Sequence, residues 1–139
     1  MLCARCAAAL ISAMLLSGCT GQRTFNHDKL KSTATEVISI AAEAELLAAA
    51  AIQHYAPTKY VAGHPEYLRK EAQGIAKELA QGHAELDAIT QFNQLRETVT
   101  QLIKTLDGLP ASSTDPRWQQ SQSQLNDIRS KAEAIRRRL

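Results

Sequence analysis

Leu30, Val37, Ala44 and Ala51 recur every seven residues, and Ala34, Ala41, Ala48 and Tyr55 fill the intervening steps. That spacing belongs to one face of a helix, and it excludes a strand, whose side chains alternate at every second residue. The seam predicts a helix over about Asp28 to Tyr55, and its run of alanines admits close approach by a second helix. Ile38, Ile40, Leu46, Leu47 and Ile52 widen it into a core-facing stripe. Glu36, Glu43 and Glu45 keep the helix out of lipid. Composition points the same way, because with 6 Gly, 4 Pro and 4% aromatics the chain is poor in both helix breakers and strand formers.

Pro57 stops this helix, and "APTKYVAGHP" reads as a connection closed by Pro65, a residue suited to the first position of a helix. A second pattern then runs Leu68, Ala72, Ile75, Leu79, Gly82, Leu86, Ile89, Phe92, Leu95, Val99, Leu102 and Leu106. Its register slips after Ile89, which marks overwinding or a break. No proline or capping residue promptly follows Gly82, so the pattern favours one long helix, bent if anything, over residues 65–106. "DGLPASSTDP" is the clearest loop, with Gly108 placed to cap the helix before it and Pro116 to open the one after. Thr114 and Asp115 are its cap candidates. Trp118, Gln122, Leu125, Ile128, Ala132 and Ile135 then share one face of a last helix.

At 139 residues the chain is one domain. The expected class is all-α, an antiparallel bundle of three long helices over residues 28–139, with a four-helix bundle broken near Gly82 as the alternative. An apolar seam left open in such a bundle would invite a protein partner or a second copy of the chain.

The first 19 residues carry one cation, Arg5, then the apolar run Ala7 to Leu16, then Ser17-Gly18-Cys19. This is the layout of a secretory signal, and the run is too short to span a bilayer. Leu16-Ser17-Gly18-Cys19 resembles the lipobox of bacterial lipoproteins at all four positions. The resemblance implies cleavage between Gly18 and Cys19, a diacylglyceryl thioether on Cys19, and often acylation of its new amino group with a fatty acid such as palmitate. Residues 1–18 would then be a removed signal peptide and 19–27 a lipidated cysteine and polar tether. Several acyl chains on one residue anchor stably where one would be marginal. In that family an aspartate after the cysteine commonly retains the protein at the inner membrane. Thr20 stands there instead, which implies the outer membrane, facing the periplasm, in a host with two membranes.

Cys3 and Cys6 spell a CxxC, but Ala7 stands where haem attachment needs histidine, and both lie in the segment to be removed. Cys19 is then the lone cysteine of the mature chain, so no internal disulfide can form. Of the four histidines, His54 and His64 flank the first connection, with Tyr55, Tyr60 and Tyr67 near them. They read either as an aromatic lid over the core or as two ligands of a metal or small-ligand site. No glutamate has a histidine three residues on, and no serine sits in a G-x-S-x-G turn, so the chain is not expected to be an enzyme or to need a cofactor. Charge is balanced, with 15 basic residues against 14 acidic from Cys19 onward, which gives no reason to expect nucleic acid. Arg136, Arg137 and Arg138 either complement the last helix's dipole or touch anionic headgroups or an acidic partner.

The sequence thus predicts a lipid-anchored envelope protein with a non-catalytic structural, scaffold or partner-binding role, such as assisting an envelope assembly. In size and helical character it is comparable to the pilotin lipoproteins that escort secretion-channel subunits. The alternative is a metal- or small-ligand-binding bundle using His54 and His64.

Overall fold

The structure, a computed structural model, describes residues 23–139. The signal segment, Cys3, Cys6, Gly18 and Cys19 lie outside the described residues. The element order is β1 (Arg23–Phe25), α1 (His27–Ile52), α2 (Thr58–Gln81), β2 (Gly82–Ala84), α3 (Ile89–Asp107) and α4 (Arg117–Arg137). The two strands form one short parallel pair, and the other four elements are helices.

The long middle helix does not form. The chain leaves α2 at Gly82 and re-enters a helix at Ile89, giving the four-helix arrangement. The cause is Phe25, which lies far away in sequence. It is wholly buried, its ring tilted against Phe92 at 5.3 Å between centroids. A Cβ on Gly82 would come within 2.3 Å of the Phe25 ring and 2.9 Å of the Arg23 carbonyl oxygen. Gly82 is therefore where β1 packs, with Arg23 opposite Gly82 and Phe25 opposite Ala84. The Glu85 N–H donates to the Phe25 oxygen at 3.1 Å, and a turn from Glu85 to Ala88 sends the chain back.

This pairing also corrects the tether. The fold begins at Arg23, ahead of the expected start at Asp28, and Asn26 caps α1 by accepting the Lys29 N–H at 2.9 Å. At the other end of α1 the chain turns by a Schellman motif, with the Tyr55 N–H on the Ala50 oxygen and the His54 N–H on the Ala51 oxygen.

α2 begins at Thr58, directly after Pro57, and not at Pro65. Val61 explains the earlier start, since it extends the buried stripe of Leu68, Ala72, Ile75 and Leu79 by one heptad. Pro65 sits inside the helix and withholds only the bond to the Val61 carbonyl. Before α4, Asp115 accepts the Arg117 N–H at 2.9 Å while Pro116 takes a helical φ of −65°, so the expected cap and opening residue serve as read. Trp118 is buried and donates its indole N–H to the Ser112 oxygen at 2.8 Å, closing the loop onto the core.

α1 packs most closely on α4, not on its neighbour in sequence, and α3 lies between α2 and α4. The seam Leu30, Ala34, Val37, Ala41, Ala44, Ala48 and Ala51 is fully buried, but Tyr55, expected at its end, lies beyond the last residue of α1 and is exposed. Small side chains let α4 come near, and the Glu45 carboxylate ties the two helices by accepting from Arg129 Nε at 2.6 Å. Leu46, expected in the stripe, is 72% exposed. Among the described residues no helix is long and apolar enough to cross a membrane.

Candidate functional site

Because α1 leans on α4, its contact with α2 is loose, and an open groove of about 450 Å³ runs between α1 and α2. Ile40, Leu68 and Ile75 line it, with Tyr67 at one end and Gly74 on the α2 wall. A Cβ on Gly74 would meet nothing within 4 Å, so this wall leaves room for an incoming backbone. Glu36, Glu43, Glu71 and Glu78 stand along the groove with Lys70; Glu78 is engaged by Arg23 and Lys29 and Glu43 by His64, so Glu36 and Glu71 make its acidic edge. The sequence says only that a seam left open would invite a partner, and it does not locate this groove. Its position depends on α1 choosing α4, and that choice is a matter of three-dimensional packing.

At the groove's upper end His64 is held on three sides. Its Nε2 lies 2.7 Å from Glu43 Oε1 across the helix pair, and its ring stacks between Tyr60 at 4.5 Å and Tyr67 at 5.7 Å between centroids. These three aromatic rings recur at helical spacing on α2, so they form a ladder along the helix; Tyr60 and Tyr67 stay about half exposed.

His54 takes no part in that ladder. It is exposed and has a φ of 58°, the left-handed conformation that ends α1. Its backbone does the capping, in a position where glycine is usual. The two histidines proposed as joint ligands thus have separate settings, one stacked between tyrosines and paired with Glu43, the other in a turn. Among the described residues no group of three His, Cys, Asp or Glu side chains could hold a metal ion.

Arg136, Arg137 and Arg138 form the last turn of α4 and its cap. They lie at the end of the bundle where the fold begins. His27 Nδ1 donates to the Leu139 main-chain oxygen at 3.4 Å, and its Nε2 lies 3.5 Å from Asp87 Oδ2. Gly18 and Cys19 lie outside the described residues, but Arg23, four positions after Cys19, is already paired in the strand ladder. Comparison with protein-family models, with curated proteins and with solved structures returned no match.

Proposed function

We infer that the chain is a lipid-anchored bacterial envelope protein whose bundle holds a protein partner in the groove between α1 and α2. The reading is carried by Leu16-Ser17-Gly18-Cys19, set at the end of a short apolar run and close before the first residue of the fold. Lipid on Cys19 would leave only Thr20, Gly21 and Gln22 between membrane and domain. The groove supports a binding role because it pairs an apolar floor with an acidic rim, the setting in which an amphipathic helix with basic flanks would lie. Thr20 after the cysteine favours outer-membrane attachment facing the periplasm. The role is non-catalytic, as a scaffold or assembly aid.

The test is recovery of partners from intact envelopes with the lipidated protein, beside a Cys19→Ala control and a Gly74→Trp groove variant, whose side chain has open space to enter. A partner held by the parent protein and lost with Gly74→Trp, at an unchanged melting temperature, supports the groove. Membrane fractionation of the Cys19→Ala chain after a high-salt wash would refute the anchor, and recovery of the same proteins by Gly74→Trp would refute the groove.

A further inference from the structure

The bundle end where β1 enters carries features that the groove does not use. Leu86 is 91% exposed and Ile89 47% exposed, although both belong to the apolar pattern of the sequence. They lie in and just after the loop that follows β2, and β2 is laddered to β1, so they are beside the point at which the chain arrives from Cys19. The Arg136–Arg138 turn is at the same end, brought there by the His27 contacts to Leu139 and Asp87.

The charges of this end are mixed. Arg23 and Lys29 are engaged by Glu78, and Asp87 faces His27. Asp28 in the first turn of α1 and Glu85 after β2 add negative charge to the three arginines' surroundings. Bulk attraction to an anionic surface is therefore weak, and the apolar side chains must lead. Arginines at the same end as an exposed leucine suit an interface, where the leucine enters the acyl boundary and the long cations reach phosphates.

Geometry supplies the remaining step. Four residues of chain span at most about 14 Å, so on the lipidation reading, on which this inference rests, Arg23 stays within that distance of the headgroups. Confinement of that kind gives a high effective concentration, and a contact too weak for the free protein becomes populated. We propose that the bundle stands on this end, with Leu86 and Ile89 entering an anionic phospholipid surface and the arginines of α4 reaching its phosphates, so that the groove rises away from the membrane.

The test couples residues 19–139, which contain the whole described fold, through the single thiol of Cys19 to a maleimide lipid. The vesicles are phosphatidylethanolamine and phosphatidylglycerol with brominated acyl chains. This tether is chemical, so failure of lipidation in cells does not affect the result, and docking can fail while the anchor reading stands. Leu86→Trp is compared with Leu46→Trp, an exposed position on α1 toward the opposite end. Bromine should quench the tryptophan at position 86 and leave that at 46, and the buried Trp118, bright. Equal quenching at both positions, or none at 86, overturns the proposal. Exchanging phosphatidylglycerol for phosphatidylcholine should reduce the quenching at 86, and unchanged quenching overturns the role given to the arginines.

Discussion

Gly82→Ala separates the two architectures by the sign of its effect. In an uninterrupted helix over residues 65–106, alanine would gain about 1 kcal/mol over glycine. In the observed fold Gly82 has φ −104° and ψ 171°, an extended conformation open to any residue, so the backbone imposes no penalty. The cost is steric. The new methyl would lie 2.3 and 2.7 Å from two carbons of the Phe25 ring and 2.9 Å from the Arg23 oxygen, whereas carbons in contact prefer about 3.5–4 Å. The ring must therefore move by more than about 1 Å inside a packed site, or leave it. Overpacking costs about 1–3 kcal/mol and loss of a buried phenylalanine about 3–5, so about 2–4 kcal/mol is expected. At this chain length that is a fall in Tm of roughly 10 °C or more. Thermal and denaturant unfolding of residues 19–139, followed by far-ultraviolet circular dichroism, measures it. Gly74→Ala, inside α2 with nothing within 4 Å, is the internal standard and should gain about 0.5–1 kcal/mol. If both variants gain stability alike, the account of β1 and of the break is refuted.

His54→Gly should stabilise the fold by about 1 kcal/mol, because glycine adopts the positive φ of the α1 turn without strain; a loss in denaturant midpoint would mean the imidazole makes a contact that matters. Trp118→Phe should cost about 1–2 kcal/mol by leaving the Ser112 carbonyl without its partner, and hydrogen exchange should rise locally in residues 108–116. The Arg117 guanidinium and backbone N–H hold the Asp115 carboxyl below its ordinary value of 3.8. Its folded pKa is lower than its unfolded one, so its stabilisation is complete above pH 3.8 and fades as acid titrates the folded group. Asp115→Asn keeps a capping oxygen, so the two proteins' melting temperatures should differ at neutral pH and converge in strong acid; a gap that widens in acid would contradict this.

What the sequence reveals follows from the range of the interactions. α4 is legible from its cap, its proline and five buried apolar residues on one face, all of them local signals, although Ser121 is buried where Gln122 was expected. α1 is legible from its alanine seam, although Leu46 falls on the wet side once α4 covers the narrower strip. The break at Gly82 is legible only as an alternative, because what decides it is Phe25, a single apolar residue in an otherwise polar stretch. Leu86 was assigned to a stripe that needed an unbroken helix, and the break exposes it. Pro65 suggests a start by a good local rule, which Val61 overrides by burying one turn earlier. Of the candidate site, the histidines are visible as residue types but their settings are not. His54's role is a backbone conformation, and His64's depends on Glu43 of another helix.

Mass spectrometry of the protein purified from envelopes reads the lipid anchor itself. The expected polypeptide begins at Cys19, with a diacylglyceryl thioether on that residue and no signal segment. A chain that retains residues 1–18, or one that keeps Cys19 as a free thiol after cleavage elsewhere, would contradict it.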